Sequence, residues 1–181
     1  MKKGFTIRAL RKDDAREYVE LHNIIWRDAY SHIFPEEVFI DREKNSHERI
    51  KWVENFENNN KQIGYVAFAG NKLIGLMGAT IVSNYEHFKN KGYAELTGLY
   101  IHPQYQGIGI ANEFKNIFIE WAIKNGATKY VIGVLADNTK ARKVYEKWGG
   151  KLDSYSQPFV KLGVDYKEVF YTYELWNIGL M

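Results

Sequence analysis

The sequence predicts a mixed α/β (α+β) domain built on one central, mostly antiparallel sheet flanked by helices. Three observations carry that prediction. Strand-like runs and helix-period segments follow one another as strand, helices, several strands, then strand–helix–strand–helix–strand. The stretch from Tyr93 to Leu135 has the length of a parallel crossover, in which a long helix joins two strands. Between two apolar runs, Gly70-Asn71 marks a two-residue hairpin loop.

Taken in order, Phe5 to Ala9 reads as a strand. Lys12 to Tyr30 reads as a helix, because Ala15, Tyr18, Val19, Leu21, Ile25 and Trp26 recur at helical spacing. Ser46 to Phe56 is a second helix. Its capping box is incomplete, with Arg49 where Glu or Gln would reach back to the cap. A polar turn, Glu57 to Lys61, leads to hairpin strands at Gln62 to Ala69 and Lys72 to Ser83. Tyr93 to Ile101 is a further strand. Gln106 to Asn125 is a long helix with a stripe of Ile110, Phe114, Ile117, Phe118 and Trp121, closed by Gly126. Tyr130 to Leu135 reads as a buried strand and Asn138 to Trp148 as a helix stopped by Gly149-Gly150. Lys151 to Tyr155 and Val164 to Leu175 complete the strands. Residues 1–175 are expected to form a single domain. The apolar tail Trp176 to Met181 is expected to pack on it or at a homodimer contact.

Composition removes several classes of function. The chain has 181 residues, and a domain of that size buries roughly 70% of its unfolded surface without a disulfide or metal staple. The cysteine count of 0 excludes disulfides, thiol nucleophiles and Cys-ligated metals. A net charge of +3 is too small to argue nucleic-acid binding. The start, MKKGFTIRAL, lacks the apolar core of a signal peptide. No apolar run nears the ~18 residues of a membrane span. A cytoplasmic protein without membrane or nucleic-acid partners is the expectation. His22, His32, His47, His87 and His102 are scattered without ligand spacing, so no metal is expected.

The sharpest motif is His102-Pro-Gln-Tyr-Gln-Gly-Ile-Gly-Ile-Ala111, between a strand and a long amphipathic helix. Small residues let backbone approach a ligand, and the first turn of a helix presents unpaired amides with partial positive charge. Such a turn suits a pyrophosphate, or it only starts the helix. A Walker loop is absent. A dinucleotide fingerprint fails at Asn112, and Gly126 to Tyr130 lacks the ribose-binding acid.

Gln106-Gly-Ile-Gly-Ile-Ala111 resembles the [RQ]xxGx[GA] acyl-CoA loop of the GCN5-related N-acetyltransferase (GNAT) family. Ala94 to Pro103 resembles the strand before that loop, and Asp137 to Gly149 resembles the family's NxxAxxxYxxxGF helix. Ile25 to Tyr30 with Phe34 to Glu37 is similar to the first helical region of one bacterial branch. The resemblance spans about Phe5 to Leu175. The chain departs at Gly150, where the family usually has Phe, and at Ile108, where a basic residue is common.

The resemblance implies an acetyl-CoA-dependent N-acetyltransferase in which the primary amine of a small molecule attacks the thioester directly. It places the pyrophosphate on the backbone of Gln106, Gly107, Ile108, Gly109, Ile110 and Ala111. Pantetheine would pair with Leu99, Tyr100 and Ile101 as an added strand does. Asn138 would bond the pantetheine arm or cap its helix. Ala141, Arg142 and Lys143 would lie along the cofactor, in a basic run with Lys140, Lys147 and Lys151. Tyr145 matches the tyrosine that protonates the leaving thiolate, and Glu95 is the first choice of general base. Trp26, Tyr30 and Glu37 are expected to line the acceptor pocket. The other readings are a non-catalytic acyl-CoA sensor and a protein or peptide N-acetyltransferase.

Overall fold

A computed structural model describes residues 4–175, so the apolar tail lies outside the described residues. The strands hydrogen-bond in the order β1-β2-β3-β4-β5-β7-β6, a 7-stranded mixed sheet. The described residues divide into two compact units, 4–79 with 98–118, and 80–97 with 119–175.

In the first unit, β1 (Thr6–Ala9) pairs antiparallel with β2 (Gln62–Ala69), Thr6 opposite Phe68 and Ala9 opposite Tyr65. The Gly70-Asn71 loop, with Gly70 at φ +57°, leads into β3 (Lys72–Thr80). A short 3₁₀ turn at Lys12–Asp14 precedes α1 (Ala15–Tyr30). Asp14 fixes this entry, accepting from both terminal nitrogens of Arg8 at 2.7 and 2.6 Å and from the Arg11 amide at 2.8 Å. Val19, Leu21 and Ile25 of α1 pack with Val53, Val66, Leu73 and Leu76 in one core.

The helical segment departs from expectation. Between α1 and α3 (Ser46–Glu54) lies an unforeseen helix, α2 (Glu36–Lys44). Its sequence, EEVFIDREK, buries only the adjacent pair Val38 and Phe39, so no i, i+3, i+4 stripe announces it. Pro35 holds its N-cap in an extended conformation.

In the second unit, the first residues of β4 (Tyr93–Ile101) run parallel to β5 (Lys129–Leu135), Tyr93 opposite Lys129 and Glu95 opposite Val131. The register confirms the parallel crossover. β5 pairs antiparallel with β7 (Val164–Glu174), and β7 with β6 (Lys151–Lys161). β6 is twice corrected: it runs through Pro158 to Lys161 instead of ending at Tyr155, and it turns tightly at Leu162-Gly163, both at positive φ. Proline is tolerated because β6 is the sheet's outer strand, where a missing N–H costs no ladder bond. Phe88, Val131 and Phe170 form this unit's aromatic core, with Tyr85, Tyr93 and Tyr155 around it.

α4 (Ile110–Lys124) starts four residues later than the sequence suggests. The spacing of the apolar stripe is right, but Gln106 to Gly109 form a turn before it. Gly107 and Gly109 sit at φ +82° and +99°, a region that excludes them from a right-handed helix and favours glycine. α5 (Thr139–Lys147) is capped as expected, the Asn138 side chain accepting from the Ala141 amide at 3.1 Å. Among the described residues no helix is long and apolar enough to cross a membrane.

Candidate functional site

The Gly107–Ala111 segment belongs to the first unit. A Cβ at Gly107 or Gly109 would meet nothing within 4 Å, so these glycines serve backbone conformation and not close packing. The result is a run of amides outside the helix ladder. Those of Gly107, Ile108, Gly109, Ile110 and Ala111 find no acceptor among the described residues. Successive free amides leading into a helix N-terminus form an anion-binding concavity. Gln106 steadies the turn, its side-chain amide donating to the Ile101 carbonyl at 3.1 Å. Ile108 is half exposed, whereas Ile110 is buried and contributes only backbone to this face. Behind the loop, Gly75 of β3 lets α4 approach. A Cβ there would lie 3.1 Å from the Phe114 ring and 3.4 Å from Ile110.

The strand leading into the loop carries Leu99, Tyr100 and Ile101. Ile101 is buried. Tyr100 folds back over Gly98, where a Cβ would come within 2.7 Å of its ring, and meets the His22 ring at 4.4 Å between centroids. Trp26 is buried and packs on Tyr30 and Phe34 in an aromatic stack, while Glu37 is exposed on the first turn of α2.

The second unit carries Tyr145, Ala141, Arg142 and Lys143 on α5 and Asn138 at its N-cap. No residue of α5 is fully buried, so its apolar face is open. Tyr145 is half-buried beside the Trp148 and Tyr171 rings, at 5.8 and 6.0 Å. Lys143 is exposed. Arg142 has structural partners: its Nε donates to the Tyr171 hydroxyl at 3.1 Å and its Nη1 to the Ala136 carbonyl at 3.0 Å. That hydroxyl in turn donates to Glu146 at 2.6 Å. The Gly150 departure has a physical reason. A Cβ there would lie 2.6 Å from the Tyr173 ring, whose hydroxyl donates to the Tyr145 carbonyl at 2.9 Å, so Tyr173 takes the space a larger residue would fill.

Glu95 is 4% exposed. Its Oε2 accepts from the Asn84 amide at 2.7 Å and the Ser83 hydroxyl at 3.1 Å. The Asn84 side chain adds a further hydrogen bond to this carboxylate. Burial pushes this carboxyl's pKa up, with Glu168 adding to the effect. Glu168 accepts from Tyr85 and Gln157, each at 2.9 Å, and is itself raised by burial. Gly133 leaves room for that contact, since a Cβ would strike the Tyr85 hydroxyl. Sequence reasoning missed Glu168, which sits in a strand read only for its apolar pattern.

Sequence reasoning also missed a basic cluster in the first unit. The Arg42 guanidinium lies 4.0 Å over the Trp26 ring. Arg49 donates to Asn23 Oδ1 at 2.5 Å and to His22 Nδ1 at 3.0 Å. The one available signal was positional. His22 falls four residues from both Tyr18 and Trp26, and Arg49 four before the buried Val53, so polar groups occupy stripe positions.

Residues 15–150 match the profile of the Acetyltransferase (GNAT) family. The chain belongs to that family. Its fold resembles solved GNAT structures along nearly its full length. The PaiA N-acetyltransferase of Thermoplasma acidophilum, in complex with coenzyme A, is 22% identical over 94% of this chain and 98% of its own, with a TM-score of 0.67. YncA, a putative acetyltransferase of Salmonella typhimurium with its cofactor acetyl-CoA, is 21% identical over 95% and 94%, at 0.69. An N-acetyltransferase of Staphylococcus aureus Mu50 is 22% identical over 94% and 98%, also at 0.69. No protein with a curated description matches the sequence.

Proposed function

We propose that this GNAT protein transfers the acetyl group of acetyl-CoA to the primary amine of a small molecule, by direct attack in a ternary complex. The observation that carries the reading is the run of free amides from Gly107 to Ala111 at the start of α4. Adjacent donors running from an exposed turn into the first turn of a helix suit a pyrophosphate better than any neutral ligand. The coenzyme A and acetyl-CoA in the PaiA and YncA structures agree with that ligand.

On this reading residues 1–175 act as one catalytic domain in the cytoplasm. The Leu99–Ile101 backbone pairs with pantetheine and supplies an N–H to the thioester oxygen as negative charge develops there. Asn138 caps α5, and Ala141, Arg142 and Lys143 border the cofactor. The amine arrives protonated, since its pKa is near ~10. Glu95 takes that proton, directly or through water. The buried carboxyl suits the task because its raised proton affinity shortens the gap to the amine. The nitrogen then attacks the carbonyl carbon, the C–S bond breaks, Tyr145 protonates the departing thiolate, and the second proton lost by the new amide nitrogen returns to Tyr145. No enzyme nucleophile is required, in keeping with a chain whose cysteine count is 0.

Isothermal titration with acetyl-CoA, with NADH and ATP as controls, tests the reading. Micromolar binding of acetyl-CoA alone is expected, followed by thiol release on adding a productive amine. Absence of acetyl-CoA binding in the presence and absence of amines would overturn it.

A further inference from the structure

The basic cluster of the first unit is incomplete in a specific way. Arg42 Nε and Nη2 are sealed from solvent and donate to nothing among the described residues. These two nitrogens share one edge of the planar guanidinium, the edge whose parallel N–H bonds meet both oxygens of a carboxylate. Arg49 Nη2 bonds His22 Nδ1. A guanidinium only donates, so Nδ1 accepts and the imidazole proton sits on Nε2. His22 Nε2 is likewise buried without a partner. Two guanidinium groups and an imidazole N–H therefore crowd together, and no Asp or Glu pairs with either arginine among the described residues.

Physics marks this as a costly arrangement. Burial and the neighbouring Arg49 pull the Arg42 pKa down to about 10, so both arginines still carry charge at neutral pH. Burial, with Arg42 and Arg49, holds His22 well below its usual range and keeps it neutral. Burying unpaired charge costs several kcal/mol, and a chain that bears the cost gains it back when an anion arrives.

We infer that Arg42, Arg49 and His22 form a binding site for the carboxylate of a small-molecule ligand, with the Arg42 Nε/Nη2 edge gripping both oxygens and His22 Nε2 donating a further bond. Because that edge is closed in the free chain, Arg42 swings off the Trp26 ring to receive the ligand. Resting on the N-acetyltransferase reading, the carboxylate belongs to the acceptor, which is then an amino acid or a related amino carboxylate and not a simple amine.

Thermal melting at constant ionic strength tests the site without turnover. Succinate and acetate are expected to raise the Tm of the full chain by several degrees and to lose that effect in Arg42→Met. Inorganic phosphate is the second arm, and equal stabilisation by phosphate would overturn the carboxylate assignment. In chloride-only buffer Arg42→Met is expected to melt no lower than the natural protein. A large fall would show Arg42 to be structural and would overturn the site. Arg42→Lys, which keeps charge but loses the fork, is expected to retain only a minor part of the carboxylate effect. Acetyl-CoA titrated into Arg42→Met reports separately on the cofactor reading, so failure of one inference is distinguishable from failure of the other. In turnover, L-phenylalanine and L-leucine are compared with phenethylamine and isoamylamine. If any of the four reacts, the amino acid is expected to be favoured at least tenfold in kcat/KM. Preference for the decarboxylated amine would overturn the acceptor assignment.

Discussion

Two polar clusters lie buried in this chain, and they differ in how completely they are paired. In the acidic one, Glu95 rests on Ser83 and the Asn84 amide, and Glu168 on Tyr85 and Gln157. In the basic one, Arg42 and His22 keep buried donors with no acceptor. Buried polar groups in native proteins are ordinarily satisfied. The acidic cluster obeys the rule, so its geometry is fixed before any ligand binds. The basic cluster breaks it, and the breach identifies the missing partner as an acceptor of hydrogen bonds with negative charge. A paired buried cluster holds a proton site in place; an unpaired one reserves room for something that is not yet there.

The largest expected effect comes from the acidic side. Glu95→Gln keeps an oxygen for Ser83 and Asn84, so the fold is expected to survive while kcat falls about 10²-fold. In the proposed mechanism the ionised form is the base, and burial raises the pKa of Glu95. Activity should therefore fall as pH drops through that raised value, and the acid limb of the pH–rate profile should vanish in the variant. A profile unchanged in shape would remove Glu95 as the base.

Gly133→Ala strikes the same cluster from beneath. Its Cβ displaces the Tyr85 hydroxyl from Glu168, and we expect a loss of about 2–3 kcal/mol in urea unfolding. A near-neutral result would show that the pairing is not rigid.

The basic cluster makes its own pH signature. His22 stays neutral in the folded chain but takes a proton near pH 6.5 when unfolded. The stability it contributes is complete above that value and is lost as pH falls. The loss should grow steadily as pH falls below that value. Around it stand Arg42 and Arg49 with the Tyr18, Trp26 and Tyr100 rings, and Tyr18 is itself pushed up to about 12 by burial. His22→Gln should flatten the curve over that range, and an unchanged slope would assign the titration elsewhere.

Ser83→Ala is the smallest perturbation. It removes one donor to Glu95, costs about 1 kcal/mol, and moves the acid limb upward because the lost bond favoured the ionised form.

The sequence disclosed what rests on period and local rule. The strand–helix–strand crossover, the Asn138 cap and the Gly126 and Gly149 stops all depend on neighbours within one turn, and each stands where expected. α2 escaped because Val38 and Phe39 are adjacent and form no stripe. β6 escaped because Pro158 ends a strand everywhere except at a sheet edge, and edge position is a fact of tertiary structure. The glycine loop was legible as a motif, but the line between its turn and α4 was set by two positive φ angles that composition alone leaves open. The basic cluster joins residues 22, 42, 49 and 100 from three helices and a strand. No local spacing relates them.

Pro158 has a consequence for life in a crowded solution. An outer strand exposes a row of free N–H and C=O groups that invites a foreign strand to add on. β6 is eleven residues long and flanked by exposed Leu152, Val160, Leu162 and Val164, so it would offer an extended adhesive border. A proline within that border deletes a donor where an incoming strand needs one, and Lys151 and Lys161 at its ends add repulsion between copies. The residue that concealed the strand from the sequence pattern also keeps it from polymerising.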